Sequence, residues 1–143
     1  MSESSQPHIL LVDDDTALGE SFRDILEAKD YRVTFVEDGD YALDVLDEER
    51  FDVVVTDFQM PVLGGMELLE RAHKSNPRLP IIMMTAHSST ERAIAATKKG
   101  AFDYLLKPVE VPELLEAVEK AVASSRLSAR PIAMGEAEPD KDT

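Results

Sequence analysis

The sequence predicts an α/β fold in which a parallel β-sheet is covered on both faces by α-helices. Short apolar runs alternate with helical patterns five times along the chain, and three of the runs are continuously apolar. Strands that are buried on both faces have this composition. The alternation itself favours parallel strands that are joined by right-handed helical crossovers.

Five short runs are the predicted strands. They comprise residues 9–12, 31–36, 53–55, 81–84 and 102–106. The second run alternates apolar with polar side chains, which predicts an edge strand with one wetter face.

Helical patterns lie between these runs. Apolar residues recur with helical spacing from Leu18 to Leu26, and again from Leu114 to Val122. Pro112 suits the first turn of the last helix, where a backbone N–H has no helical partner. The order of elements is therefore a strand followed by a helix, repeated five times.

The length of the chain predicts one domain with two flanking segments. A chain of 143 residues holds one ordinary core. We expect residues 1–7 to be a disordered N-terminal tail and residues 8–125 to be the folded domain. Apolar periodicity fades from Arg126, so residues 126–143 are interpreted as the end of a helix followed by a linker or tail.

Charge and cysteine content exclude several functions. The formal net charge of −14 would repel polyphosphates and anionic lipids, so we expect no direct contact with nucleic acid or a membrane. The absence of Cys excludes a disulfide framework, a thiol nucleophile and a Cys-ligated metal. The first residues do not form a signal peptide, and no apolar stretch reaches membrane-spanning length. We expect a cytoplasmic location.

Polar residues follow four of the predicted strands. Because the carboxyl ends of parallel strands meet at one edge of a sheet, we expect these side chains to lie together. They are Asp13, Asp14 and Asp15 after the first run, Asp57 after the third, Thr85 and Ala86 after the fourth, and Lys107 with Pro108 after the fifth. Each residue alone is a common helix cap or loop residue. Together they favour a functional site.

The clustered carboxylates predict a metal ion. Carboxylates in one crevice repel each other, and a hard divalent cation relieves the repulsion. We expect Mg²⁺, or Mn²⁺, with Asp14 and Asp57 as direct ligands and Asp13 acting through a water. The backbone carbonyl of Gln59 is a further expected ligand. The metal and the Lys107 ammonium would neutralise an incoming phosphoryl group, so that the Asp57 carboxylate can form an aspartyl phosphate.

Two residues after the fourth run complete the predicted phosphoryl site. The Thr85 hydroxyl can donate to a phosphoryl oxygen, and the small Ala86 leaves room beside the acceptor.

These motifs resemble the receiver domains of two-component response regulators. The resemblance extends from about His8 to Ser125. Its motifs are Asp13-Asp14, then Asp57-Phe58-Gln59-Met60-Pro61 with Gly65 and Glu67-Leu68-Leu69, then Thr85-Ala86, and finally Asp103-Tyr104-Leu105-Leu106-Lys107-Pro108. The resemblance implies a flavodoxin-like (βα)5 three-layer sandwich with strand order 2-1-3-4-5. It also implies that Asp57 is the phosphoacceptor and that a sensor histidine kinase or a phosphotransfer protein is the donor.

The resemblance implies roles for neighbouring residues as well. Gln59 and His87 are expected to tune the lifetime of the phosphate. Thr85 would move toward the phosphoryl group, and Tyr104 would turn inward as the switch aromatic. The alternative for Tyr104 is a half-buried strand aromatic without a switching role. The Lys107–Pro108 peptide bond is implied to be cis.

The region from Phe102 to Val122 is similar to receivers that precede AAA+ transcription activators. This similarity implies a C-terminal output domain that controls transcription, and a receiver that stands alone is the alternative. A homodimer through the face of the fourth helix, fifth strand and fifth helix is also implied by the family.

We expect a phosphoacceptor signalling domain that is not an enzyme, apart from its own phosphorylation and autodephosphorylation. A phosphatase of the haloacid dehalogenase type would share the sheet, the metal and the Asp nucleophile. It would need a second acid two residues after that nucleophile, where Gln59 stands. A pseudo-receiver that never takes phosphate is the third hypothesis, and the complete set of acids with Thr85 and Lys107 argues against it.

Overall fold

The described part of the chain folds as strands and helices in strict alternation. The computed structural model describes residues 6–86 and 90–129. The elements in chain order are β1 (His8–Val12), α1 (Thr16–Glu27), β2 (Arg32–Val36), α2 (Gly39–Glu48), β3 (Val53–Asp57), α3 (Gly65–Ser75), β4 (Ile81–Thr85), α4 (Thr90–Lys98), β5 (Asp103–Leu106) and α5 (Val111–Ala129). None of the helices in these two segments is long and apolar enough to cross a membrane.

The strands form one parallel sheet in the order β2-β1-β3-β4-β5, which confirms the predicted topology. Every residue of β1, β3 and β4 is buried, as their continuous apolar sequences predict. Strand β2 lies at an edge and is mostly half-exposed, as its alternating sequence predicts. The sheet therefore ends in a row of carboxyl termini on which the site is built.

Successive strand residues pack into two hydrophobic cores on opposite faces of the sheet. Leu10 belongs to the first core, which also contains Leu68 of α3. Leu11 belongs to the second core, which contains Phe22 of α1 and Leu114 of α5. This alternation follows from the two-residue period of a strand. It produces the three layers, with α1 and α5 on one face and α2 and α3 on the other.

Carboxylate caps start two of the helices directly after strand ends. The Leu18 amide donates to Asp15 Oδ1 over 3.1 Å at the start of α1. The Tyr41 amide donates to Asp38 Oδ1 over 2.7 Å at the start of α2. A cap of this kind stabilises a helix by about 1 kcal/mol. Gly64 precedes α3 and provides no side-chain cap, so that helix start relies on packing of the loop before it.

A buried polar network joins the opposite, amino-terminal ends of the strands. The His8 amide donates to Asp52 Oδ2 over 2.8 Å, and His8 Nε2 lies 2.7 Å from the Thr34 hydroxyl. Asp52 also accepts from Arg126 Nε of α5 over 3.0 Å. Helix α5 continues past Arg126 to Ala129. This network ties the far end of α5 to the sheet.

Residues 1–5 of the predicted N-terminal tail lie outside the described residues, as do residues 130–143. Pro7 is described, and its carbonyl accepts a hydrogen bond from the Arg32 amide over 2.8 Å.

Candidate functional site

The acidic turn after β1 places one buried and one exposed carboxylate at the sheet edge. Asp13 is fully buried, whereas Asp14 is exposed. Asp13 Oδ1 accepts from the Asp15 amide over 2.9 Å, and Asp13 Oδ2 lies 3.2 Å from Lys107 Nζ. Both oxygens of Asp13 therefore already have protein partners, which fits its predicted indirect contact with a metal.

Asp57 ends β3 in the centre of the sheet edge, and 8% of the residue is exposed. The following loop leaves at Phe58 and returns at Gly65, whose amide donates to the Phe58 carbonyl over 2.9 Å. A Cβ on Gly65 would collide with the Asp57 carbonyl oxygen. Glycine is required here because the start of α3 packs directly against the backbone of Asp57.

The Lys107 side chain enters the carboxylate cluster from the end of β5. Its Nζ lies 3.1 Å from Asp57 Oδ1 and 3.2 Å from Asp13 Oδ2. The Lys107 amide donates to the Thr85 carbonyl over 2.6 Å, which extends the pairing of β5 with β4. The Lys107–Pro108 peptide bond is cis.

Burial and charge oppose each other in this cluster. Desolvation raises the pKa of Asp57 above its ordinary value, Lys107 opposes the rise, and repulsion from Asp13 and Asp14 adds to it. Burial alone would lower the pKa of Lys107, but the charges of Asp13 and Asp57 outweigh burial and raise it. Lys107 is therefore held as a cation, and the three carboxylates retain more negative charge than one ammonium offsets.

The three carboxylates have the geometry of a cation site. Asp13, Asp14 and Asp57 each place an oxygen within 4.8 Å of the corresponding oxygens of the other two. All these donors are hard carboxylate oxygens, which Mg²⁺ and Mn²⁺ prefer over softer metals. The surplus negative charge and the donor chemistry both fit a divalent cation.

The remaining predicted residues occupy the rim of the cluster. Thr85 ends β4 and is 1% exposed, and Ala86 follows it on the surface. Gln59 is exposed beside Asp57. Tyr104 is half-buried on β5, and its hydroxyl has no hydrogen-bond partner among the described residues. His87 lies outside the described residues, so its predicted role in phosphate lifetime stays a prediction.

Two features of the rim were not predicted from the sequence. The Arg92 guanidinium of α4 lies over the Phe58 ring, 5.2 Å from its centroid. Val62 is 91% exposed in the loop between β3 and α3, at a φ of 67°. No local sequence pattern indicates either feature, because the first joins residues far apart in the chain and the second contradicts the preference of valine.

A cavity of 840 Å³ lies at the opposite end of the sheet from the carboxylates. Its lining includes His8, Arg32, Asp52 and Arg126. It contains none of the predicted site residues. The chemistry indicated by the sequence belongs to the carboxyl edge, where the reactive groups converge in a shallow crevice.

Comparison with known proteins points to one family. The model of the response regulator receiver domain family matches residues 9–119. The transcriptional regulatory protein ZraR of Klebsiella oxytoca is 38% identical over 127 residues, which are 89% of this chain and 29% of that protein. The transcriptional regulatory protein FixJ of Bradyrhizobium diazoefficiens is 35% identical over 127 residues, which are 89% of this chain and 62% of that protein. The chain thus spans less than two thirds of either relative.

A solved structure agrees with the sequence relatives. The CheY-like response regulator receiver domain protein of Methanospirillum hungatei superposes with a TM-score of 0.82 at 34% identity, over 87% of this chain and 99% of that chain. The similarity therefore covers the whole sheet and the edge that carries Asp57.

Proposed function

Because the chain belongs to the response regulator receiver domain family, we propose that Asp57 is the residue that accepts a phosphoryl group from the phosphohistidine of a sensor kinase or phosphotransfer protein. The observation that carries the proposal is the 3.1 Å contact between Asp57 Oδ1 and Lys107 Nζ inside the carboxylate cluster. An Asp whose carboxylate already faces a cation is suited to an incoming phosphoryl group, because the same cation can bind the phosphoryl oxygens.

The reaction is an exchange of one bond for another. An oxygen of the Asp57 carboxylate attacks phosphorus, the P–N bond to the donor imidazole breaks, and a P–O bond forms. The donor imidazole leaves with the electron pair of the broken bond and takes up a proton. The product is an aspartyl phosphate, which is a mixed anhydride.

Three residues of the chain support this exchange. Lys107 offsets the negative charge that develops on the phosphoryl oxygens. The Thr85 hydroxyl, at the end of the neighbouring strand, donates a hydrogen bond to one of those oxygens. Ala86 is small and exposed and leaves space beside the acceptor. Catalysis of phosphoryl transfer consists mostly of such positioning and charge neutralisation.

Asp14 and Asp57 would hold Mg²⁺ or Mn²⁺, with the Gln59 carbonyl as a further ligand and Asp13 in contact through a water. The metal when bound supplies positive charge that lowers the repulsion between the carboxylates and the phosphoryl group. Its affinity depends on the Asp57 carboxylate being ionised, and Lys107 promotes that ionisation.

Mass spectrometry of the intact chain with a small phosphodonor tests the proposal. Phosphoramidate with Mg²⁺ is expected to add one phosphoryl group to wild type and none to Asp57→Asn. Asp44→Asn, which changes an exposed carboxylate of α2, is the matched control and is expected to label as wild type does. Wild type that binds Mg²⁺ but gains no phosphoryl group would refute the proposal.

We also propose that the domain is a switch and not an enzyme that turns over substrate. Its own phosphorylation and autodephosphorylation would be its only reactions, with Gln59 and His87 tuning the second. An aryl phosphate that is hydrolysed over many turnovers would support the phosphatase hypothesis instead. Gln59 at the position of the required second acid argues against it.

The output is proposed to be control of transcription, since curated relatives such as ZraR and FixJ carry the name transcriptional regulatory protein. Movement of Thr85 and inward rotation of Tyr104 would change the face formed by α4, β5 and α5. Ile94 and Leu106 are exposed on α4 and β5, so this face offers apolar surface for a homodimer. An AAA+ module after the receiver is the proposed output domain.

A further inference from the structure

Val62 is an exposed valine in a strained turn beside the phosphoacceptor. Its φ is 67°, and the Leu63 amide donates to the Pro61 carbonyl over 2.8 Å across it. A three-residue γ-turn with positive φ at its centre is rare and strained. A β-branched residue is among the least suited to this conformation, yet the Val62 side chain gains no burial from it, because the residue is 91% exposed.

The residues around Val62 hold the turn in place. Leu63 is 4% exposed and packs into the core. A Cβ on Gly39, at the start of α2, would lie 2.6 Å from the Leu63 carbonyl oxygen. The loop end at Gly65 packs equally closely against Asp57. Backbone strain persists where surrounding contacts enforce it, and such strain concentrates at functional sites.

The loop places Val62 at the entrance to the site. It leaves the site at Phe58 and returns to it at Gly65, so Val62 stands at its outer tip. Asp57 is recessed, with 11% of its side chain exposed. A small phosphodonor can enter the crevice, but a protein that carries phosphohistidine must cover this rim to bring its phosphorus to Asp57.

We propose that Val62 is a docking residue for the protein phosphodonor, held outward in a strained turn so that the partner can bury it. This inference rests on the proposed function and names the surface that recognises the donor. The neighbouring strand ends carry exposed carboxylates, Asp14 after β1 and Glu37 after β2. The matching donor surface is therefore an apolar depression bordered by basic side chains.

The proposal predicts a separation between two phosphodonors. The variants are Val62→Gly, which removes the side chain and accepts the positive φ, and Val62→Ile, which keeps an apolar β-branched side chain. The probes are phosphoramidate and a purified phosphorylated histidine kinase, chosen from the same genome as the one that transfers fastest to wild type. Both rates are measured with Mg²⁺ at equal protein concentration.

Val62→Gly is expected to accept from the kinase about tenfold more slowly, which is the effect of losing a buried interface anchor. Its labelling by phosphoramidate is expected to be unchanged, and its urea midpoint is expected to rise because strain is relieved. Val62→Ile is expected to match wild type with both donors. This pattern would separate docking from any role in the chemistry.

Other outcomes would overturn the inference. Equal slowing of Val62→Gly with both donors would assign the turn to site geometry, and an unchanged kinase rate would exclude docking. A lower urea midpoint would contradict the strain. Dimerisation of unphosphorylated wild type that Val62→Gly abolishes would assign Val62 to a contact between copies. Absence of any adduct with phosphoramidate would instead refute the proposed function, as would a wild type that accepts from phosphoramidate but from no kinase.

Discussion

Lys107 Nζ lies 3.1 Å from Asp57 Oδ1, and 16% of the lysine side chain is exposed. The same ammonium reaches Asp13 over 3.2 Å. One cation from β5 therefore bridges the carboxyl ends of β1 and β3. The acceptor and its buried neighbour both depend on this contact.

Lys107→Met is expected to slow labelling by phosphoramidate by about tenfold or more, because the developing charge loses a neutralising group. Loss of the ammonium also leaves the buried Asp13 carboxylate without its partner. We expect the free energy of unfolding to fall by about 1–3 kcal/mol without metal. Stopped quench labelling and urea unfolding measure the two effects.

Lys120→Met is the matched control for Lys107→Met. Lys120 forms an exposed pair with Glu116 on α5 at 3.4 Å. Exposed pairs contribute about 0–1 kcal/mol, so both measurements should stay close to wild type. A Lys107 variant that behaves as this control does would remove the lysine from the site.

Asp57→Asn is expected to stabilise the metal-free fold at neutral pH. The folded pKa of Asp57 is raised above 3.8, so the ionised form is less favourable in the folded than in the unfolded chain. The resulting loss of stability is absent below pH 3.8 and complete above the folded pKa. Urea unfolding in EDTA should show a higher midpoint for Asp57→Asn, and Mg²⁺ should raise the midpoint of wild type more than that of the variant. A lower midpoint in EDTA would contradict the balance of burial and attraction inferred for this carboxyl.

His8 is expected to make stability fall as the solution becomes mildly acidic. Desolvation, followed by the charge of Arg32, lowers the pKa of His8 below 6.5. Below pH 6.5 the unfolded chain therefore binds a proton that the folded chain does not, and stability decreases until pH reaches the folded pKa. His8→Gln should lose less stability than wild type between about pH 7.5 and about pH 5.5. Equal losses in both proteins would show that His8 does not contribute.

The two cores should contribute to a single unfolding transition, because both pack on the same sheet. Leu68→Ala on α3 and Leu114→Ala on α5 each truncate a fully buried side chain. We expect each to lower the free energy of unfolding by about 2–5 kcal/mol. Leu127→Ala, at 66% exposure, should change it by less than about 0.5 kcal/mol. A second transition in either core variant would show that the faces unfold separately.

Periodicity was sufficient to predict the sheet, because burial on both faces leaves a continuous apolar run. The runs in β1, β3 and β4 are buried throughout, and the alternating run in β2 is an edge. Strand polarity then predicted that Asp13, Asp14, Asp57 and Lys107 would converge. The structure brings these four together because each follows a strand of the same sheet.

Other parts of the molecule depend on contacts that no local pattern encodes. The sequence interpretation treated His8 as ordinary, whereas its ring lies against Thr34 and its amide against Asp52, residues distant in the chain. The strained turn at Val62 contradicts the local preference of valine, so only the packing of Leu63 and the two glycines explains it.

The backbone hydrogen bonds at the site edge limit how a signal can leave it. The Phe58 amide donates to the Met84 carbonyl over 2.7 Å, and the Lys107 amide donates to the Thr85 carbonyl over 2.6 Å. Sliding one of these strands past another would break such bonds inside a water-poor edge. Information about the chemical state of the carboxylate is therefore expected to spread through side-chain torsions over a stationary ladder of main chain.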